Sequence, residues 1–322
     1  MSRRVVETLL GHRTSHVLAY GDEPVLTDRD AQLALWILYE LSYRGFSGVD
    51  ARLEWDVDLI GLRLTLEDRF EGELRSATHD RVAQELQHGD DIGGLLLQMA
   101  EGESPRVSSY LRREATEEQM LDFLRERSLQ QLKESDPQAF LVPRLQGAAK
   151  VALMEVQYDE FGAGRADGLH QDLYARTLAA VSLDATYGAY VNDVSAISLA
   201  AANMMSLFSL NRRLVAAGVG HFAILEATSS VPSRRIAAGL ERLGLSPAAP
   251  YFEEHVEADA VHEQIVARDV CGSVVADNPA LLPEVIFGAA SLLYVDRLSG
   301  EELLRRWGSL DHDDERPAEM AS

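Results

Sequence analysis

The sequence predicts an all-α helical bundle. Ala and Leu, both strong helix formers, are abundant, whereas aromatic residues make up only 7% of the chain. Segments with apolar residues at helical spacing begin after capping residues such as Thr116, which opens a capping box with Gln119. No segment alternates apolar and polar residues in the way that indicates a strand or hairpin.

The N-terminal third, residues 1–112, is predicted to be a helical extension packed on the core. Residues 1 to about 27 show little periodicity and are expected to form an arm. Thr27 or Asp28 can then cap the first helix. Helices are expected at about 28–43, 57–74, 80–87 and 92–101. This region carries no group of residues that suggests a catalytic or metal-binding site.

The middle of the chain reads as consecutive helices that end at proline or glycine. The helix opened by Thr116 is expected to run to about Ser135 and to stop at Asp136-Pro137, because a residue before proline avoids the helical conformation. The next helix follows Pro143 and ends at the glycine-rich segment 161–168. Another helix starts there and carries His170.

Residues 196–229 are almost entirely apolar and read as two buried core helices. His221 and Glu226 lie in the second, where a buried carboxylate is costly unless it is paired or ligating. Both can be hydrogen-bonded core residues, or they can contact a polar group of a substrate. Arg212, between the two helices, is a third candidate for such a contact.

Further helices are expected to complete the core, residues 113–310. One runs from Ser230 to Gly244, one carries His255, and a final pair extends from Asn278-Pro279 to about Trp307. The charged residues 311–322 are expected to be a disordered acidic tail.

One predicted helix carries His255, Asp259 and His262 at positions i, i+4 and i+7. These side chains project from the same side, as half of a metal site with nitrogen and oxygen ligands would. The alternative is a solvated acidic helix that happens to carry two histidines. Three more candidate ligands lie near the ends of predicted helices upstream: Glu134, Glu160 and His170. Six protein ligands for two divalent ions leave coordination positions open.

These residues carry a resemblance to a known family. The segments 132–137, 143–147, 155–164 with His170, and 254–262 together resemble the haem-oxygenase-like diiron oxidases and oxygenases, which are also described as iron-containing redox enzymes. The family pattern is a Glu, a second Glu on the next helix, a His ten residues later, and a distant His-x3-Asp-x2-His. The resemblance covers roughly residues 117–310.

The resemblance implies a haem-oxygenase-like bundle in which Glu134, Glu160, His170, His255, Asp259 and His262 are iron ligands, with Glu160 bridging. It implies two Fe(II) ions, with an Fe/Mn pair as an alternative, and O2 as co-substrate. A peroxo-diiron species would then oxidise a small organic substrate such as an amino acid, a fatty acid or an amine. The pocket is expected between the His255 helix and the apolar helices of 196–229. A homodimer is consistent with the family.

The composition of the chain disfavours some classes of partner and of function. A formal net charge of −22 disfavours nucleic acid and anionic membrane surfaces, and no apolar run approaches the ~20 residues of a membrane span. The absence of an export signal and a single cysteine, Cys271, favour the cytoplasm. Three rivals remain: a non-catalytic iron-binding protein, a haem oxygenase or thiaminase on the same fold, and a helical interaction module. The surplus of carboxylates disfavours the second.

Overall fold

The computed structural model of the protein describes residues 1–11, 20–21, 23–88, 91–101 and 106–309, apart from the side chains of Arg106, Glu257, Asp259 and Ala260. The described part is mainly helical, with one isolated β-bridge and no strand, which confirms the all-α prediction. The α-helices are α1 (Ser2–Leu9), α2 (Arg29–Glu40), α3 (Val57–Glu85), α4 (Ile92–Glu101), α5 (Arg106–Arg113), α6 (Glu117–Gln131), α7 (Asp136–Ala139), α8 (Gly147–Glu160), α9 (His170–Ala180), α10 (Ala196–Leu210), α11 (Val215–Ala227), α12 (Ser230–Arg242), α13 (Pro250–Gln264), α14 (Gly272–Asp277) and α15 (Leu282–Arg306). A π-helical segment, Ile265–Cys271, joins α13 to α14.

Side chains that satisfy free backbone N–H groups fix several helix starts. Asp28 accepts a hydrogen bond from the backbone of Asp30 and caps α2, and Asp56 caps α3 in the same way. The capping box of Thr116 and Gln119 is formed at the start of α6, as predicted.

Four details differ from the sequence-based expectations. The N-terminal arm contains α1, because Val5 and Leu9 bury an apolar face against α2. Helix α3 continues to Glu85 and absorbs most of the short helix expected at 80–87. The expected final pair is one long helix, α15, preceded by a single 3-10 turn. The predicted acidic tail, 311–322, lies outside the described residues.

The fourth difference concerns Asp136-Pro137, which begins a helix instead of ending one. Helix α6 stops at Gln131, a turn follows, and Ser135 adopts a left-handed conformation (φ 65°) before α7 starts. Proline fits the first turn of a helix because its missing N–H has no partner there. The turn between α6 and α7 carries Glu134.

The core consists of two groups of buried apolar side chains. The larger group unites α2, α3 and α4 with α10, α11 and α15, so the N-terminal region shares its core with the rest of the chain. The smaller group lies among α5, α6, α9, α12 and α13.

Helices α11 and α15 pack with their backbones in direct contact. A Cβ at Gly220 would lie 1.9 Å from the carbonyl oxygen of Val285, and a Cβ at Gly288 would lie 1.9 Å from that of Ala217. Only glycine permits this approach, which fixes the position of α11 and of Glu226 near its end.

By length and composition, one helical stretch, 279–306, could cross a membrane, and the bent pair of α11 with α12 passes the same test when it is counted as one span. More than half of the apolar window in 279–306 is buried inside the protein. Core helices meet the same criteria, so this is weak evidence for a membrane span.

Candidate metal centre

Six acidic and imidazole side chains from five parts of the fold meet at the centre of the bundle. Glu134 comes from the turn after α6, Glu160 is the last residue of α8, and His170 is the first residue of α9. Helix α11 contributes one carboxylate and α13 contributes two imidazoles: Glu226, His255 and His262. Their side chains are at most 7% exposed, except that of Glu134 at 17%.

The first group consists of Glu134, Glu160, His170 and His255, whose ligand atoms all lie within 4.8 Å of one another. Oε2 of Glu160 is 3.1 Å from Nδ1 of His170. Oε1 of Glu134 is 3.5 Å from Nε2 of His255. The two imidazole rings are adjacent, with centroids 4.6 Å apart. Four ligand atoms therefore surround one point.

The second group consists of Glu160, Glu226 and His262, again with ligand atoms within 4.8 Å of one another. Nδ1 of His262 is 3.5 Å from Oε1 of Glu160 and 3.4 Å from Oε2 of Glu226. Glu160 belongs to both groups and presents one oxygen to each. This is the geometry of a carboxylate that can bridge two ions.

The spacing of these atoms fits ligands of a transition-metal ion. Imidazole nitrogen and carboxylate oxygen bind such ions at about 2.0–2.2 Å, so neighbouring ligand atoms of one ion lie about 3.0–3.5 Å apart. All four distances above fall in that range. Nδ1 of His170 is buried and forms no hydrogen bond, because it is poorly aligned with the nearby Glu160. A donor atom so placed suits an ion lying between the two side chains.

In two of the histidines, hydrogen bonds determine which ring nitrogen faces the candidate carboxylate ligands. Nδ1 of His255 is 2.7 Å from the carbonyl oxygen of Tyr251, so Nδ1 carries the proton and Nε2 is the nitrogen that faces Glu134 and can ligate. Nε2 of His262 contacts Asp159 at 3.4 Å, and Nδ1 faces Glu160 and Glu226. Such contacts orient metal-binding imidazoles and increase their basicity.

Burial and mutual charge shift the protonation of these groups. Burial acts to raise the pKa of Glu160, but His170 and His262 outweigh burial and hold that pKa below its ordinary value. Burial acts to lower the pKa of His262, and Glu160 with Glu226 overcome it and raise that pKa to about 11. Burial raises the pKa of Glu226. The surroundings of His262 are therefore strongly negative and favour a cation.

The structure brings together five of the six ligands predicted from the sequence. The side chain of the sixth, Asp259, lies outside the described part of the chain, although its backbone belongs to α13. Glu226, a candidate for substrate contact in the sequence, instead faces His262 in the second group. The signal for it was a carboxylate inside an otherwise apolar helix, which must be paired or ligating.

The remaining two candidates for substrate contact have different locations. His221 is buried and lines a cavity next to the centre. Arg212 is exposed and does not line that cavity. It precedes α11, whereas Glu226 is near the other end, roughly 20 Å away at 1.5 Å per helical residue. Arg212 therefore lies away from the larger cavity, and its contact with a substrate stays a prediction.

Two neighbouring cavities, which share several lining residues, lie at the candidate ligands and next to them. The smaller, about 30 Å3, is lined by Glu134, Glu160, Glu226 and His255 together with apolar side chains such as Phe222. The larger, about 120 Å3, lies among α6, α10, α11, α12, α13 and α15. Both are lined by Gln130, Gln131, Leu225 and Ser229. The larger cavity lies between α13 and the apolar helices α10 and α11, where a pocket was expected.

The larger cavity combines apolar walls with one pair of opposite charges. Phe123, Leu225 and Ile236 contribute to the apolar walls. The charges belong to Arg127 and Asp296, whose Nη2 and Oδ1 atoms are 2.9 Å apart. Arg127 precedes Glu134 by seven residues, so the pair lies roughly 10 Å along the helix direction from the centre.

Comparison with known proteins identifies a matching family. The model of a haem-oxygenase-like family described as iron-containing redox enzyme matches residues 121–297, more than half of the chain. A search of the curated proteins finds no match. The matched segment contains all six side chains of the candidate centre and begins after the N-terminal region.

Proposed function

The chain belongs to the iron-containing redox enzyme family, and on that premise we propose that it is a non-haem diiron oxidoreductase that uses O2 to oxidise a small organic substrate. The observation that carries the proposal is the position of Glu160, which presents one oxygen to each of two ligand groups. The family accounts for an iron-dependent oxidoreductase. The number of ions, the use of O2 and the kind of substrate are our proposal.

In this proposal, Glu134, His170 and His255 would hold one ion, Glu226 and His262 would hold the other, and Glu160 would contribute one oxygen to each. A bound iron pair would supply the electrons that reduce O2. Three carboxylates against two divalent ions leave a small positive charge, which suits an anionic group of a substrate. Five unshared ligands and one shared carboxylate would leave coordination positions for O2 or a substrate.

The protein's own contribution is to position the ligands, exclude water and retain protons. The hydroxyl of Tyr251 lies 3.0 and 2.9 Å from the two oxygens of Glu134 and receives a hydrogen bond from Gln131. Burial raises the pKa of Tyr251 well above its ordinary value, so this hydroxyl keeps its proton as a donor. Met205, Phe222 and Leu225 give the smaller cavity apolar walls beside the carboxylates.

The larger cavity favours a substrate with a charged end and a short apolar part. A cavity of about 150 Å3 holds a benzene-sized molecule, so about 120 Å3 suits a group of that size or slightly smaller. Arg127 could bind a carboxylate of the substrate, and the adjacent Asp296 could bind an ammonium group. Among amino acids, fatty acids and amines, this pair favours an amino acid.

The alternatives differ in their fit to the site. A thiaminase-type nucleophile has little support, since Cys271 is buried, hydrogen-bonded to the carbonyl of Val219 and raised in pKa by burial. A non-catalytic iron-binding protein would use the same ligands but would not need the adjoining larger cavity.

Anaerobic loading with Fe(II) tests the proposal. We expect two irons per chain, a transient visible absorption band on exposure to O2, and loss of the band in His262→Ala with helical circular dichroism retained. His79→Ala, a change of an exposed histidine, serves as the control. One iron or none per chain, or an unchanged band in His262→Ala, would contradict the proposal.

Substrate turnover separates the enzyme from an iron-binding protein. O2 consumption is measured with panels of amino acids, fatty acids and amines, and Arg127→Gln should raise the KM for the active amino acid more than it lowers kcat. Two bound irons with no O2-dependent turnover of any compound would favour the non-catalytic alternative.

A further inference from the structure

We propose that the N-terminal region completes the metal centre, with Glu40 and Arg44 as positioning residues for Glu134. The proposal rests on the assignment of Glu134 as a metal ligand in the proposed function. Glu40 and Arg44 lie outside the segment matched by the family, residues 121–297. The N-terminal region is thus part of the functional site and more than a packed extension.

Glu134 needs external support because it lies on a turn. The other five side chains of the centre belong to helices, whose backbone hydrogen bonds fix them. Glu134 follows the end of α6, and the next residue, Ser135, adopts a left-handed conformation that is unfavourable for a residue with a Cβ. The position of this turn depends on contacts from elsewhere.

The first contact is a buried ion pair next to Glu134. Nζ of Lys133 lies 2.7 Å from Oε1 of Glu40, the last residue of α2, and both side chains are at most 2% exposed. The hydroxyl of Tyr187 also donates to that oxygen at 2.7 Å, and the Lys133 ammonium lies 4.3 Å from the ring centroid of Tyr43. A buried charge is held firmly to its partner, because separation leaves it unpaired.

The second contact is a chain of hydrogen bonds that starts at Arg44, four residues after Glu40. Its guanidinium donates to the carbonyl of Leu132, to Asp136 and to Oε1 of Gln171. Because the oxygen of Gln171 accepts from Arg44, its amide nitrogen is directed the other way. That nitrogen donates to the carbonyl oxygen of Glu134 at 2.8 Å and to Asp136 at 2.9 Å.

The turn is therefore held on two sides. The N-terminal region fixes its backbone through Lys133, Leu132 and Gln171, while Tyr251 of α13 holds the carboxylate of Glu134. Ligands positioned before the ion arrives bind it more tightly, since binding then orders less of the protein. Removal of the N-terminal contacts should weaken the ion bound by Glu134 and His255 more than the ion bound by Glu226 and His262.

Anaerobic titration with Co(II), followed by its visible absorption, tests the proposal in Arg44→Gln and Glu40→Gln. The matched control is Arg29→Gln. Arg29 lies at the other end of α2 and donates to the carbonyls of Val191 and Val194, with no contact to the turn. We expect wild type to bind two ions. Arg44→Gln should weaken one of them at least tenfold, Glu40→Gln should do the same, and Arg29→Gln should leave both unchanged.

Melting of the metal-free proteins separates positioning from general stability. Arg44 is 44% exposed, so Arg44→Gln is expected to fold and to melt within a few degrees of Arg29→Gln. Wild-type affinity for both ions in Arg44→Gln, or equal weakening in Arg29→Gln, overturns the proposal. A wild-type protein that binds fewer than two ions instead contradicts the proposed function.

Discussion

Nδ1 of His170 and Nδ1 of His262 lie on opposite oxygens of one carboxylate, that of Glu160, at 3.1 and 3.5 Å. Glu160 is the last residue of α8, and the two histidines belong to α9 and α13. The relationship links the two ligand groups through a single residue. The loss of this carboxylate should therefore affect both groups, whereas the loss of Glu226 should affect one.

We expect Glu160→Gln to bind less than one iron per chain and Glu226→Gln to bind about one. An amide has lost the charge and one of the two ligating oxygens that a bridge requires. Metal analysis after anaerobic loading and desalting measures this difference. Glu155→Gln, which changes an exposed residue of the same helix, serves as the control and should retain two irons. Equal losses in Glu160→Gln and Glu226→Gln would argue against a bridge.

Tyr251→Phe should weaken metal binding about 10- to 100-fold, because it removes the hydroxyl that holds both oxygens of Glu134. Titration with Co(II) measures the affinity. Tyr174→Phe is a matched control, since its ring packs against that of Tyr251 at 4.8 Å but its hydroxyl donates to the carbonyl of Leu124. If both variants weaken binding alike, the hydroxyl of Tyr251 has no specific role.

His221 should make the fold sensitive to acid. Burial lowers its pKa from 6.5 to about 3, so the unfolded chain binds one more proton than the folded chain between those values. This contribution to stability is complete above pH 6.5 and is lost as pH falls towards 3, by about 1.4 kcal/mol per pH unit. Urea unfolding at pH 7 and pH 4.5 should show a smaller loss for His221→Leu than for wild type.

The exposed His79 provides the comparison for that experiment. His79→Leu should lose as much stability as wild type between the two pH values. A loss in His221→Leu equal to that of wild type would show that other groups dominate the acid response.

Gly220→Ala should destabilise the fold by about 1–3 kcal/mol or more, because the new methyl group would lie 1.9 Å from the carbonyl oxygen of Val285. Gly272→Ala is the control: it begins α14, and a Cβ there meets nothing within 4 Å. This second change should stabilise by about 0.5–1 kcal/mol, since alanine restricts the unfolded chain. Urea unfolding of both variants measures the contrast, and a neutral Gly220→Ala would mean that the two helices can move apart.

The sequence predicts those parts of the fold that depend on local interactions. Asp28 caps α2 and Thr116 forms a capping box because each acts on backbone groups two or three residues away. The start of α7 at Asp136 was not predicted, since Pro137 is compatible with either a helix end or a first turn and packing decides between them. The π-helical segment after α13 was also not expected from periodicity.

The candidate centre was partly predictable for the same reason. His255 and His262 share one helix, so their spacing indicated a common face. Glu226 has no ligand partner on its own helix, and its buried charge suggested only that a partner exists elsewhere. The pairing of Glu40 with Lys133 joins residues 93 positions apart and depends on tertiary packing.

The contact of Gly220 and Gly288 with the opposite helix has a consequence for the protein without metal. Because the backbones of α11 and α15 touch, neither helix has room to shift towards the other, so Glu226 keeps its place on α11 without an ion. The position of Glu134 depends instead on side chains of α2, α9 and α13, each of which can be changed singly. A series of variants can therefore loosen one ligand group while the other stays as it is.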